Sequence, residues 1–446
     1  MTNGPAIAAY IAAARERALP PEVADMARLC LGDWLGVAIG AAYEPAGRLV
    51  REVAAGWRST GRSTVLFGGT AAAPFAALAN GTLAHCLDFD DTYVRAITHT
   101  SAPVWAATLA LGEETGADEA AMLSAFVAGF ETAARIGDGL GEPVSARGWH
   151  GTGVFGRLGA AAAASVLLHL DPDQTLNALG LAATQTSGLV ASFGTMAKPF
   201  HAGKAAMDGI VAAQFVAAGF AAATGLFEPG GGLDTALVQD RSVTFAPLEL
   251  DGWRILQNSF KPYAACHLTH PAVDAARALA PLAAARGRIA SVQAEIGALA
   301  ERITGGKTGV PVTPLEGKFD LKYCVAAALH GATLSAADFR EPWRPDPAVS
   351  KTAAKMTVAV GPEMGFASAR LGIETTDGRI ESVHVPVAKG HPSNPIGWAD
   401  MWEKFDALTE PVLGRSNEAL FDLVRDFGSG TFDRLRGMIA ALPSRA

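Results

Sequence analysis

The sequence has little cysteine, few aromatic residues and no excess of positive charge. Only four of its 446 residues are cysteines and 7% are aromatic, and its 44 acidic residues outnumber its 36 basic ones. The cysteines are far apart and form no CxxC pair, so zinc ribbons and clustered iron–sulfur ligation have no support. Few and widely spaced cysteines are typical of proteins in a reducing compartment, so we expect a cytoplasmic protein.

Blocks of basic residues and long apolar segments are also absent. The net charge is −8, so nucleic acid is not an expected partner. The first 14 residues lack the basic stretch that precedes the apolar core of a signal peptide. The most apolar run, 209–227, is mainly alanine and glycine and has no tryptophan or tyrosine at its edges. We therefore predict a buried helix there and no membrane partner.

Helical periodicity dominates the first 225 residues, and half of the whole chain is hydrophobic, which is ample for a large core. Proline, glycine, aspartate and serine mark the ends of most periodic segments. We predict helices at 21–42, 74–87, 103–115, 117–136, 153–168, 172–184 and 203–223.

The character of the sequence changes after three glycines at 230–232. Strand-like segments follow at 356–360, 369–375 and 382–387, and Asp377-Gly378 between the last two predicts a hairpin. Helical periodicity returns near residue 395. We predict a mainly α fold, with a large all-helical domain from 1–264 and 394–446 and a smaller inserted α/β lid domain from 265–393.

The segment from His85 to Tyr93 contains one imidazole, three carboxylates and two hydroxyl groups. If the predicted helix continues through it, His85, Asp88 and Thr92 share one face. Carboxylates at the end of an apolar helix are costly unless they reach solvent or meet cations. Two interpretations stay open, a solvated helix end and a functional site.

Residues 151–156 match GxGxxG and precede a predicted helix. A dinucleotide site requires a strand before the first glycine, and residues 144–150 are not strand-like. We favour a glycine-lined helix start whose N–H groups, those of Gly151 and Gly153 included, can receive an anion. His150 directly precedes these glycines and could reach the same anion.

Cationic residues recur in three further segments: lysine and histidine at 198–204 and 261–270, and two lysines at 318–323. The last is the weakest candidate, because its lysines also suit an exposed helix start. Isolated histidines at 169, 330 and 384 are expected to be structural or exposed. No HExxH motif occurs, so a metal site has no support. No GxSxG motif occurs either, so a hydrolase with a serine nucleophile in that motif has no support.

Taken together, these segments resemble the MmgE/PrpD family, which includes 2-methylcitrate dehydratase, cis-aconitate decarboxylase and iminodisuccinate epimerase. The resemblance implies a helical main domain, a smaller lid domain, a cleft between them, usually a homodimer, and neither a metal nor an organic cofactor. The matching segments run in family order at 85–92, 148–153, 198–204, 261–271, 319–328 and 394–395.

By position, the resemblance implies catalytic roles for Asp88, His99, His150, Lys198, Lys261 and Tyr323, and a substrate contact for Thr92. The motifs above add His201, Lys204, His267, Gly151 and Gly153 as candidate substrate-binding residues.

The sequence departs from the family pattern in two places. The interval from Asp88 to His99 is one residue longer than in many relatives. Ala264 and Ala265 stand where many relatives have proline and cysteine, and His267 stands in place of arginine. The guanidinium of arginine can bind a carboxylate through two parallel hydrogen bonds, whereas histidine is titratable and cannot. The sequence therefore leaves open whether the substrate is a tricarboxylate.

The resemblance implies chemistry at a carbon next to a carboxylate of a small polycarboxylate. Such a site needs cations where charge develops, a base for the C–H proton and an acid for the departing hydroxide. We assign the cations to Lys198 and Lys261, and the proton transfers to His150 with Asp88 or His99. Tyr323 would position the substrate or act as an acid. A dehydratase is our first prediction, followed by a decarboxylase, an epimerase and a non-catalytic carboxylate-binding protein.

Overall fold

The structure, a computed structural model, describes residues 3–286, 289–306, 309–340 and 343–443. It is mainly α-helical and divides into two compact units. The helical unit comprises residues 3–259 and 401–443, and the α/β unit comprises Phe260–Asp400. The predicted fold class, a large helical part with a smaller α/β part, is confirmed.

Several helices of the helical unit begin at residues that favour helix starts. Proline occupies one of the first two positions of four of them, where its missing N–H needs no partner, and Asp171 caps one of these four. The helices that precede the α/β unit in the chain are α1 (Asn3–Ala12), α2 (Pro21–Gly40), α3 (Pro45–Gly56), α4 (Ala73–His85), α5 (Ser101–Thr115), α6 (Glu119–Gly137), α7 (Gly141–Ala146), α8 (Gly151–Leu167), α9 (Pro172–Ala183), α10 (Ala197–Ala217) and α11 (Leu233–Val238). A small hairpin of β1 (Ser63–Thr64) and β2 (Thr70–Ala71) lies between α3 and α4.

Small residues let α4, α8 and α10 pack closely. A Cβ atom on Gly81 would lie 2.9 Å from the Cα atom of Gly203, and one on Gly209 would lie 2.5 Å from the side chain of Ala160. The predicted helix at 203–223 and the apolar run at 209–227 extend beyond the end of α10 at Ala217. Most residues of 217–226 are exposed, so only the first half of the run is a buried helix. No helix of the described residues is long and apolar enough to cross a membrane.

The α/β unit contains a four-stranded sheet in the order β4-β3-β5-β6. β3 pairs in parallel with β4 and antiparallel with β5, and the predicted hairpin at Asp377-Gly378 joins β5 to β6. Its elements are α12 (His270–Arg286), β3 (Ile289–Ile296), α13 (Ala298–Ala300), α14 (Pro314–Lys318), α15 (Leu321–Leu329), α16 (Pro347–Ala353), β4 (Met356–Val360), β5 (Ala369–Thr375) and β6 (Ile380–Val385). The chain continues through α17 (Trp398–Leu413), α18 (Ser416–Arg425) and α19 (Phe432–Ala440).

Two predicted helix boundaries near the polar motifs were wrong. α4 ends at His85 instead of continuing, and Asp88 has a left-handed backbone with φ of 51°. Aspartate tolerates this conformation because its short polar side chain hydrogen-bonds locally. α10 begins at Ala197, six residues before the predicted start. Pro199 does not prevent this, because it lies in the first turn.

Candidate active site

The predicted catalytic residues of the helical unit come from three neighbouring parts of the chain. His150 is the N-cap of α8, and Lys198 lies in the first turn of α10. Asp88 and His99 lie in the segment between α4 and α5. Since α10 packs against both α4 and α8, the ends of these helices bring the side chains together.

Lys198 and Asp88 form an ion pair, with 2.7 Å between Nζ and Oδ1. The two side chains are 10% and 11% exposed, so the charges are largely removed from solvent. The Nε2 atom of His99 lies 3.5 Å from the same carboxylate oxygen. The Lys198 ammonium also lies 5.1 Å from the centre of the Phe193 ring, a favourable cation–π distance. A buried ammonium group and an imidazole thus both lie next to the same carboxylate.

Asp90 contacts two imidazole rings. Its carboxylate oxygens lie 2.9 and 3.0 Å from Nδ1 of His85, and Oδ2 lies 3.1 Å from Nδ1 of His99. Burial alone would raise the pKa of Asp90, but the two histidines hold it well below its usual range. Burial lowers the pKa of His85 to about 4 despite the attraction of Asp90. The carboxylate is therefore ionised beside a neutral His85 ring at neutral pH.

His150 belongs to a second pair of imidazoles. Its Nδ1 atom lies 3.1 Å from Nδ1 of His201, so one ring donates a proton to this contact and the other accepts it. Its ring also packs on Phe193 and on His85. Burial, reinforced by His85 and Lys198, lowers the pKa of His150 well below its usual value. Burial also lowers that of His201, to about 4. Both rings are neutral at neutral pH.

The remaining candidates of the helical unit have different surroundings. The backbone of Thr92 pairs with that of Ser259. Lys204 forms an ion pair with Asp208, which also accepts a hydrogen bond from Arg157, so this lysine belongs to a separate charge cluster. Lys204 remains a predicted substrate contact.

The two glycines in the first turn of α8, Gly151 and Gly153, have a packing role in addition to the predicted one. A Cβ atom on Gly151 would lie 2.5 Å from the carbonyl oxygen of Ile97, and one on Gly153 would lie 2.4 Å from that of Ser187. The N–H of Gly153 donates to the carbonyl of His150. Close approach of two loops therefore requires glycine here. The residues before the glycines form α7, so the strand that a dinucleotide fold needs is missing among these described residues.

Sequence analysis missed Asp90 and His85 as members of this cluster. Both lie in the motif that it singled out, but a continuous helix would have placed positions 85 and 90 on opposite faces. The early end of α4 lets the chain turn back, so that both rings meet one carboxylate. Thr152 was also missed; its hydroxyl accepts a hydrogen bond from the backbone N–H of His99.

Three candidates belong to the α/β unit. Lys261 is 2% exposed. Tyr323 packs on Trp343, and burial raises the pKa of its phenol to about 12. The ring of His267 lies 4.8 Å from that of His270. Their participation in catalysis or substrate binding remains a prediction.

His85, Asp90 and His99 have the donor types and spacing of a metal site. One ligand atom from each lies within 4.8 Å of the others, and two imidazoles with a carboxylate suit zinc and iron. In the structure the three side chains contact one another directly. We interpret these contacts as interactions through imidazole protons.

Two family domains match the chain. Residues 5–246 match the MmgE/PrpD N-terminal domain, and residues 263–426 match the MmgE/PrpD C-terminal domain. A cis-aconitate decarboxylase-like protein of Aspergillus oryzae is 34% identical over 182 residues, which are 38% of this chain and 37% of that protein. The cis-aconitate decarboxylase of Aspergillus terreus is 28% identical over 58% of this chain and 56% of its own length.

The human cis-aconitate decarboxylase is 26% identical over 79% of the chain and 76% of its own length. The chain thus matches about half or less of the two fungal relatives and about three quarters of the human one. The two domain matches cover most of the chain in the family's order, and on this evidence the chain belongs to the MmgE/PrpD family.

Proposed function

We propose that this protein is a lyase that acts without a cofactor on a small di- or tricarboxylate, eliminating water as 2-methylcitrate dehydratase does. The curated relatives are cis-aconitate decarboxylases or resemble one, and decarboxylases are lyases. The observation that carries the choice of reaction is the presence of two distinct proton-transfer groups beside one buried lysine. His150 pairs with a neutral histidine, whereas His99 contacts two carboxylates.

Elimination of water uses these two groups differently. The neutral ring of His150 takes the proton from the carbon next to the substrate carboxylate, and the electron pair of that C–H bond forms the new double bond. The C–O bond breaks, and His99 donates a proton so that hydroxide leaves as water. Asp88 and Asp90 stabilise the protonated ring of His99 before this transfer. Lys198 stabilises the negative charge that develops on the substrate carboxylate.

Decarboxylation is the second candidate, because the curated relatives are cis-aconitate decarboxylases or resemble them. In this reaction the C–C bond to a carboxylate breaks, carbon dioxide leaves, and the remaining carbanion takes a proton from His99 or His150. The same lysine would stabilise the carbanion. The reaction needs an acid but no base, so it uses only part of the described cluster.

The test is incubation of the purified protein with 2-methylcitrate, citrate, cis-aconitate and iminodisuccinate. Growth of enediacid absorbance supports dehydration, and release of carbon dioxide supports decarboxylation. Uptake of solvent deuterium without net conversion would indicate an epimerase and overturn the proposal. Absence of turnover, together with a melting temperature raised by polycarboxylates, would favour the binding protein.

Lys261 and Tyr323 stay in the proposed catalytic set, and His267 in the substrate-binding set, on the strength of the family pattern. Replacing Lys261 with methionine removes the charge but keeps most of the apolar stem. We expect a large loss of turnover, and urea unfolding of the same variant shows how much of that loss comes from removing a buried charge. A homodimer is part of the same proposal, and light scattering after size-exclusion chromatography tests it.

A further inference from the structure

Asp90 has a position that the reaction proposed above does not explain by itself. Its side chain is 1% exposed, so it is poorly placed to touch a substrate. Both of its oxygens face imidazole nitrogens, and in both rings the facing nitrogen is Nδ1. One carboxylate therefore meets the same atom of two histidines that are 14 positions apart in the sequence.

An ionised carboxylate only accepts hydrogen bonds, so a neutral imidazole that contacts it carries its proton on the facing nitrogen. This places the proton of His85 on Nδ1, which faces both oxygens of Asp90, and leaves Nε2 as the basic atom of that ring. His99 has a carboxylate near each nitrogen, with Asp90 3.1 Å from Nδ1 and Asp88 3.5 Å from Nε2, and its approach to Asp90 lacks hydrogen-bond geometry. Because the Asp90 contact is the shorter and Asp88 is already paired with Lys198, we assign the proton of a neutral His99 ring to Nδ1 as well. For His99, Nε2 is the atom that lies 3.5 Å from Asp88, beside the ammonium of Lys198. For His85, Nε2 is buried without a hydrogen-bond partner in the described part of the chain.

The contrast with His150 supports the same assignment. The nearest titratable partner of His150 is another imidazole, His201, and no carboxylate of the described residues forms an ion pair or hydrogen bond with either ring. Asp90 therefore distinguishes one pair of histidines from the other. It supplies a negative charge that can stabilise a proton on His99, while His150 lies among neutral and positive groups.

We propose that Asp90 is a positioning residue, which keeps the Nδ1 proton on His85 and His99 so that His99 exchanges its catalytic proton only through Nε2. The inference rests on the proposed function for the importance of His99, but the proton positions are a property of the resting protein. The Asp90 carboxylate lies 3.1 Å from Nδ1 of His99, on the side of the ring away from Nε2, which faces the ion pair of Asp88 and Lys198. His85 shares the carboxylate and limits the positions that it can adopt.

The primary experiment is ¹⁵N NMR of the full chain labelled at histidine, at neutral and alkaline pH. His85→Gln and His99→Gln variants assign the two rings. Nδ1 shifts of the protonated type with Nε2 of the unprotonated type, in His85 at neutral pH and in His99 once its ring is neutral, support the proposal. The opposite tautomer in either ring would overturn it. This measurement needs no substrate, so it stands even if none of the tested polycarboxylates is converted.

The second measurement compares Asp90→Asn with Asp90→Glu. The amide has nearly the same shape, but it can donate to Nδ1 and carries no charge. We expect a fall in kcat of about 10²–10⁴-fold with a small change in KM, together with a change of tautomer in the NMR spectrum. Glutamate restores a carboxylate and should recover part of kcat. Equal kcat in wild type and Asp90→Asn would contradict the proposal.

Glu119→Gln is the matched control for loss of a buried carboxylate. Glu119 accepts hydrogen bonds from the backbone of Gly428 and Gly430 and from the hydroxyl of Thr431. This variant should lower the unfolding temperature and leave kcat unchanged. If Asp90→Asn does not fold, the wild-type tautomers and the partial activity of Asp90→Glu still decide the question.

Discussion

Lys198 and Asp88 meet through a direct ion pair of 2.7 Å, although 110 positions separate them in the sequence. The pair joins the first turn of α10 to the segment that follows α4. Both side chains are about nine-tenths buried. The loss of either charge would leave the other without its partner in a low-dielectric place, which links the stability of the helical unit to its proposed chemistry.

Breaking this pair should therefore cost both stability and activity. We expect Lys198→Met to lower the free energy of unfolding by about 3–5 kcal/mol, because it leaves Asp88 charged and buried. The double variant Asp88→Asn with Lys198→Met should recover most of that loss while remaining inactive. Urea unfolding and turnover of Lys198→Met, Asp88→Asn and the double variant form the measurement. Additive losses of stability would show that the pair is not coupled.

Replacement of His150 should remove activity with a modest effect on folding. His150→Gln keeps much of the side-chain volume but removes the proposed base, so we expect turnover to fall by about 10²–10⁴-fold. His169→Asn is the control, because His169 is exposed and its left-handed backbone also suits asparagine. Unchanged turnover in His150→Gln would remove His150 from the catalytic set.

Stability should depend on pH through the buried histidines. Burial lowers the pKa of His85 to about 4, whereas a histidine in an unfolded chain titrates near about 6.5. Between these values the unfolded chain binds more protons than the native protein, so the free energy of unfolding rises as pH rises. His85→Gln should flatten this dependence by up to about 1.4 kcal/mol per pH unit. Urea unfolding at intervals from pH 4 to 7 measures it.

Asp91 offers a control of opposite sign for the same experiment. Burial and the neighbouring Asp33 raise the pKa of Asp91 to about 7. Below that value the native protein binds a proton that the unfolded chain releases above about pH 3.9, so this group lowers stability as pH rises. Asp91→Asn should therefore steepen the dependence that His85→Gln flattens. Identical slopes in wild type and both variants would refute the assignment of these buried groups.

Removal of metal ions should leave the proposed reaction intact. The family resemblance implies that none is needed, and the direct contacts of Asp90 with His85 and His99 agree with imidazole protons at this position. Dialysis against a chelator followed by a turnover assay is the measurement. Loss of turnover that added zinc restores would show instead that these three donors hold a metal ion.

Much of the architecture could be predicted from the sequence, because the formation of helices and hairpins depends mainly on residues that are close together in the chain. Apolar spacing of three and four predicted most helices of the helical unit, and Asp377-Gly378 predicted the turn between β5 and β6. The boundaries were less predictable. Pro199 and Asp88 both adopt conformations that local preference permits but does not require, so packing decided where α10 begins and α4 ends.

The sequence alone determined the helical class, the family and the importance of His150, Lys198 and the segment after His85, since these depend on residue identity and order. Only the tertiary structure decided that Asp90 contacts both His85 and His99 and that Lys198 pairs with Asp88. The physical reason is that imidazole and carboxylate groups interact over a few ångströms in defined directions. Such contacts depend on how a turn places a side chain and on which helix ends meet, and neither is set by residues adjacent in the chain.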